Sequence, residues 1–375
     1  MESTAIRKPK AKRKNAFIEY MRFFVAIIIM AWHFHTLEGI NRDVYFCQGD
    51  NYGVEFFALL SGFLMARSLA KYQGTDPLTE ASGFMKRKWL HILQMNVVAY
   101  LFAFVLRQFP NPPGPGRLFS RFMANMPEML LLSTTGLKRT DPVFNYNGAD
   151  WYLSAMFLAM IFIVPIRLKA PKLYRYFCMP AGFLLLGLAV RFHGGIATTD
   201  STISGILILG NFRIGGELLI GSGAYEIYAR LRSSRTRNPL LVYLMRIIIA
   251  LAYAGYILLM LHGIKQFWGP ALVIILTMMM VFAFLYYDSD ALPGRRSAAP
   301  SLIGILGEKL GTFSFALYLN HRYWVFFLNK LDLTMSIRNQ LILCTVLSVI
   351  SSFICTWICR GLSALWKSIY APQRA

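Results

Sequence analysis

Apolar runs of about twenty residues, repeated along this chain, leave few folds open, because one helix of that length crosses the hydrocarbon of a bilayer. Inside hydrocarbon, only a helix or a closed barrel satisfies its own backbone N–H and C=O groups. Runs of this kind cover residues 17–37, 52–70, 89–109, 151–168, 173–190, 203–228, 240–262, 267–287, 312–328 and 340–359. Barrel strands would be shorter and would alternate apolar with polar residues, a pattern that does not occur here. With 56% hydrophobic and 15% charged residues, the 375-residue chain is too apolar for an ordinary soluble domain. The expected fold is an all-α polytopic membrane protein with about ten transmembrane helices. The run 203–228 stands apart, being rich in glycine and carrying Arg213 and Glu217. The apolar piece 129–133 is too short to span and is expected to dip into the interface. No internal repeat of the kind found in inverted-repeat transporters is evident.

Charge orients the bundle. The formal net charge is +21. Its basic residues gather before the first run (Arg7, Lys8, Lys10, Lys12, Arg13, Lys14) and in alternate connections thereafter: Lys71, Lys86, Arg87 and Lys88; Lys169 and Lys172; Arg230, Arg232, Arg235 and Arg237; Arg295 and Arg296. The positive-inside rule puts these connections and both termini in the cytoplasm. Arg117, Arg121, Lys138 and Arg139 fall on the opposite side against the rule. The basic excess is therefore mostly a topology signal, and no nucleic-acid partner is expected. The first run is too long for a signal-peptide core and is expected to be retained. A basic tail over 1–16, a transmembrane domain over 17–361 and a second tail over 362–375 complete the organisation. Cys47, Cys178, Cys344, Cys355 and Cys359 form no zinc-ligand pattern, so no metal is expected.

The stretch RFFVAIIIMAWHFH, residues 22–35, carries the first chemical signal. The step from Arg22 to His33 turns about 1100°, close to three turns, and rises about 16 Å, so the two side chains share a helix face at different depths. His35 points nearly the other way. Ionisable groups inside spans face a bundle interior or a wet cavity. In the next run, GVEFFALLSGFL (53–64) places Glu55 at a depth comparable with His33. A carboxylate there is expected to fix the tautomer of His33 and raise its basicity, as in other acid–base sites; the other reading is a helix-start carboxylate facing water. Gly311, Ser314, Tyr318 and His321 line one side of the run 312–328. Arg213 and Glu217 stand four residues apart and are expected to neutralise each other, while His91, His193 and His262 fall at run ends, where headgroup contact is ordinary.

Arg22 and His33, followed by GVEFFALLSGFL, closely resemble the opening of the integral-membrane acyltransferase family three. The resemblance continues in FMKRKWLHIL (84–93), WYLSAMFLAMIF (151–162) and LGTFSFALYLNHRYWV (310–325), and covers nearly the whole chain in order. Met156 stands where the family often has an acidic residue, Lys88 and His91 where arginines are frequent, Gln94 where proline is common, and Glu55 in place of an aspartate. The resemblance implies transfer of an acyl group, expected to be acetyl, from cytoplasmic acetyl-coenzyme A as co-substrate to a hydroxyl of a bacterial cell-envelope polysaccharide or lipid-linked glycan, at the inner membrane. Under it His33 is the expected general base and Glu55 its orienting partner, while Arg22, Arg87, Lys88 and His321 are expected to contact the donor. His321 has a second reading, as support for the catalytic face. Two other functions fit a charged polytopic bundle: a transporter or flippase for a lipid-linked glycan, and a non-catalytic membrane sensor on the same scaffold.

Overall fold

The computed structural model describes residues 14–36, 51–72, 74, 76–137, 146–199, 201–236, 238–262, 268–288, 301–331 and 333–370. The remaining residues, including Cys47, Lys138, Arg139, Arg295, Arg296, most of the N-terminal tail and residues 371–375, lie outside this description, as do the side chains of His35, Thr36, Asn51 and of residues 366–370. The fold is all-α. Its helices are α1 (Ala16–Thr36), α2 (Asn51–Leu69), α3 (Pro77–Gln108), α4 (Pro115–Ala124), α5 (Met126–Met129), α6 (Trp151–Lys169), α7 (Pro171–His193), α8 (Leu209–Ser234), α9 (Pro239–His262), α10 (Gly269–Tyr287), α11 (Leu302–Asn320), α12 (Arg322–Lys330) and α13 (Ile337–Tyr370). A two-residue hairpin, Thr202–Ile203 against Leu207–Ile208, precedes α8.

Among the described residues, nine helical segments are long and apolar enough to cross a membrane. The tenth expected run corresponds to α8, which is long enough but carries too many charges to meet that test. It sits against α2, α6, α7 and α10, and its middle, from Arg213 to Ala224, is buried on every side. Two features allow a polar helix to lie there. Its glycines let neighbours approach backbone to backbone: a Cβ on Gly221 would collide with the Leu59 carbonyl of α2, and one on Gly62 with the Leu218 carbonyl of α8. Its charges are also paired within the bundle. Arg213 donates from Nη2 to Glu55 Oε1 of α2 at 2.6 Å, and its Nε lies 3.7 Å from Glu217 Oε1; all three side chains are fully buried. The expected Arg213–Glu217 pair is thus the looser half of a three-membered cluster. A buried charge without a partner costs several kcal/mol, roughly 3–5, so the cluster also joins α2 to α8.

The expected run 312–328 is not one helix. The chain is interrupted at His321, between α11 and α12. Asn320 Nδ2 donates to the Ala316 carbonyl at 2.7 Å, and His321 Nδ1 to the Tyr318 carbonyl at 2.8 Å, so both side chains at the break fold back onto the last turn of α11. The piece 129–133 also behaves differently from a segment at the lipid interface. Leu131, Ser133 and Thr134 are buried in a turn following α5. Asn96 of α3 pins that turn through the Glu128 and Met129 carbonyls, and Ser133 Oγ donates to Asp150. At the C-terminal end, α13 continues beyond residue 361 to Tyr370.

Replacing Arg213 by methionine leaves Glu55 buried without its guanidinium and is expected to cost about 3–5 kcal/mol; adding Glu55→Gln should recover much of that loss, read as thermal unfolding in detergent. The alternation of basic connections makes a second expectation. Single cysteines at the exposed positions Arg232 and Arg117 should label from opposite sides of the membrane, Arg232 from the cytoplasm, and labelling from one side would break the span order.

Candidate active site

The C-terminal turns of α1 bring His33 against the helix break at His321. His33 Nδ1 lies 2.9 Å from the Ile29 carbonyl and 3.2 Å from His321 Nε2, and the two imidazole rings are 4.9 Å apart. A carbonyl only accepts, so the bond to Tyr318 puts the proton of neutral His321 on Nδ1 and leaves its Nε2 as an acceptor. His33 in turn carries its proton on Nδ1, shared between Ile29 and His321. The tautomer is therefore set by the network, and the lone pair of His33 lies on Nε2. His321 is fully buried and His33 is half-buried.

This geometry corrects the role expected of Glu55. That carboxylate is committed to Arg213, a close opposite charge in the same water-free interior. The group that holds His33 is His321, which was expected among the donor contacts. His321 does not line the large cavity described next; its side chain meets His33 instead.

A cavity of about 530 Å³ opens at the end of the bundle where α1 and α3 begin and α2 ends. Lys14, Arg22, Arg67, Lys71, Lys88 and His91 stand around it, with Glu19 as the acidic member. The mouth is built rather than merely charged. Arg22 donates to Glu19 Oε2 at 2.8 Å. Gly311 of α11 makes room for Glu19, since a Cβ there would meet the carboxylate. Arg67 donates to Asp288 Oδ2 at 2.8 Å, and Asn15 and Tyr228 hold the same carboxylate. Arg22 thus faces a cavity. Arg87 does not; it is exposed and paired with Glu80 at 3.2 Å, because it lies on the outer face of α3. Lys88, the next residue, turns inward.

Deeper in, the walls become aromatic and aliphatic: Phe57, Leu60, Tyr152, Leu153, Met156, Phe315 and Tyr318. Met156, at the position where the family often has an acid, is part of this apolar wall, and Tyr152 donates to the Phe57 carbonyl and lies 2.7 Å from Ser61 Oγ. Tyr318 links cavity and histidines. It lines the cavity, and its ring lies 6.0 Å from that of His321. From the basic mouth the molecule therefore offers a charged rim, an apolar passage, a tyrosine and a histidine pair. Periodicity had aligned Tyr318 with His321 on one helix face; that His321 meets His33 required the packing of this face on α1. Lys71 reads in the sequence only as a topology anchor, and Arg67 joins it at the rim through the fold. Among the described residues no group of three or more His, Cys, Asp or Glu side chains is arranged to hold a metal ion.

Arg22, His33, Lys88 and His321 thus belong to one continuous arrangement, whereas Glu55 and Arg87 lie outside it. A comparison with known families finds a match to the acyltransferase domain of family three over residues 15–361, nearly the full length of the bundle. Neither the curated proteins nor the solved structures yield a significant match. The chain belongs to the membrane acyltransferase family three.

Proposed function

We propose that the protein moves an acetyl group from acetyl-coenzyme A to a hydroxyl of a bacterial cell-envelope glycan or lipid-linked sugar, with His33 Nε2 as the general base. The observation that carries this reading is the contact of His33 with His321 beyond the inner end of a cavity with a basic rim. A coenzyme with several phosphates and a long thioester arm matches that division: the anionic head at Arg22, Lys88 and their neighbours, the arm along Phe57, Leu60 and Tyr152. The positive-inside rule assigns the rim to the cytoplasm.

In this reading Nε2 of His33 takes the proton of the acceptor hydroxyl as its oxygen attacks the thioester carbonyl. The C–O bond forms, the C–S bond breaks, and the proton passes from His33 to the departing thiolate. No covalent enzyme intermediate is needed, because a thioester is already activated. The imidazolium formed during attack keeps its Nδ1 proton directed at Ile29 and at the acceptor nitrogen of His321, so His321 stabilises the charge and fixes the ring, the part that a carboxylate plays in many triads. Tyr318 stands between the cavity and the histidines and has to turn aside as the thioester advances.

Incubating the purified protein with labelled acetyl-coenzyme A and envelope glycans tests the activity directly; a glycan flippase or a sensor would leave the label on the coenzyme. His33→Ala should lower turnover by about 10²–10⁴ while donor binding persists. His321→Ala is expected to lower kcat with little change in KM for the donor, and His321→Gln, whose amide oxygen still accepts from Nδ1, should restore part of it. Equal losses in both His321 variants, or a change confined to donor KM, would return His321 to a donor-contact role. Lys88→Ala should weaken coenzyme binding by about 1.5–3 kcal/mol, the scale of one charge-assisted contact, whereas Arg87→Ala should leave it unchanged.

A further inference from the structure

Between its basic rim and Tyr318 the large cavity is walled mainly by carbon, from Phe57, Leu60, Leu153, Met156 and Phe315. Three further side chains in that stretch carry hydroxyls: Ser61, Tyr152 and Ser314. Ser314 is fully buried and donates back to the Gly311 carbonyl of its own helix at 2.7 Å. Ser61 is half-buried and is held differently.

The packing of α2 on α8 sets where Ser61 stands. A Cβ on Gly62 would collide with the Leu218 carbonyl, so the two helices meet backbone to backbone at that residue. Ser61, about 100° round the helix from Gly62, is turned to the cavity. Hydrogen-bond valence then orders the protons. Tyr152 has one hydroxyl proton and donates it to the Phe57 carbonyl at 3.1 Å. That carbonyl also closes the helical turn at Ser61, so both its lone pairs are taken. Ser61 Oγ lies 2.7 Å from the Tyr152 oxygen. With the tyrosine proton on Phe57, Ser61 is the donor in this contact, and its own oxygen is left as an acceptor on the cavity wall.

We propose that Ser61 Oγ accepts a hydrogen bond from a secondary amide N–H in the arm of the acyl donor, with Tyr152 as the positioning residue that orients the serine. The inference rests on the acetyl-coenzyme A reading, since that coenzyme's arm carries two secondary amides. Ser61 stands about 9 Å deeper than the rim residue Arg67 at helical rise, within the passage that the arm has to occupy. An amide N–H drawn from water into apolar walls loses its acceptor and costs free energy unless the protein supplies another. A neutral hydroxyl oxygen suits that role, and the coenzyme's charged groups are met by the cations at the rim.

Equilibrium binding of isotope-labelled coenzyme A to the full-length protein in detergent tests this. The competitors are unlabelled coenzyme A and two analogues, each with one amide nitrogen of the arm replaced by oxygen. That replacement keeps the length of the arm and removes one N–H. One of the two esters should bind about three- to tenfold more weakly than the parent, the scale of one neutral hydrogen bond, and the other should bind nearly as well as the parent. Ser61→Ala should weaken coenzyme A by the same factor, leave the weaker ester unchanged and so erase the difference between them. A serine that only supports packing would weaken all three ligands alike, and that result overturns the proposal. Tyr152→Phe keeps the ring and releases the serine hydroxyl, so it should shrink the difference as well; it carries the test if Ser61→Ala does not fold. Equal affinity of coenzyme A and both esters in the wild type, or a difference that survives in the folded variants, overturns the amide contact and leaves the donor reading in place. Absence of any coenzyme binding by the wild type overturns both.

Discussion

The bond between Arg213 and Glu55 is the condition for this bundle's interior. It joins α8 to α2 at a point where no water reaches either side chain. An ion pair there adds little net stability over a well-packed apolar pair, but loss of either partner strands a charge in the interior. The pair therefore fixes which helices neighbour each other more than it strengthens the fold. Once α8 is held on α2, the glycines at the crossing bring the two backbones into contact, and α6, α7 and α10 close around the polar helix. The first and second helices then lie where a cavity opens between them and α3, α6 and α11.

A second constraint acts on α11. At the interruption between α11 and α12, within the apolar run 312–328, Asn320 and His321 hydrogen-bond back to the preceding turn. The interruption has two structural consequences. It presents an imidazole acceptor to His33, and it starts α12, which carries Arg322 and Lys330 toward the C-terminal end of α3. Irregular backbone at such a depth is tolerated because it is buried in protein and its polar groups find side-chain partners. The basic-rimmed cavity, the histidine pair and a second cavity lined by Arg107 and Lys330 thus follow one another along the bundle.

Much of this was legible in the residues. Apolar run length gave the helices to within a few residues in most places, since hydrocarbon thickness and helical rise set it directly. The helical phase of Arg22 and His33 gave a shared face, and the motifs shared with the acyltransferase family gave the chemistry. The failures have one cause. Glu55 reads as a partner for His33 because both lie at similar depth, but depth says nothing about which neighbour a carboxylate meets, and the nearer charge belonged to a helix more than 150 residues later in the chain. Arg87 and Lys88 read as one basic segment, yet consecutive residues on a helix point about 100° apart, and only Lys88 turned toward the cavity.

The sequence by itself determined that the chain crosses a membrane many times, which connections are basic, and which face of each helix carries its polar residues. Those properties depend on local spacing and on the cost of exposing polar groups to lipid. Tertiary structure alone decided that His321 rather than Glu55 holds His33, that Arg213 unites two carboxylates from different helices, and that Arg107 and Arg322 share the ring of Phe326. The His33–His321, Arg213–Glu55 and Arg107–Phe326 contacts join segments far apart in the chain, so they depend on which helix faces came together. Buried charges and close glycine contacts between helices made that choice, and no local pattern in the chain encodes it.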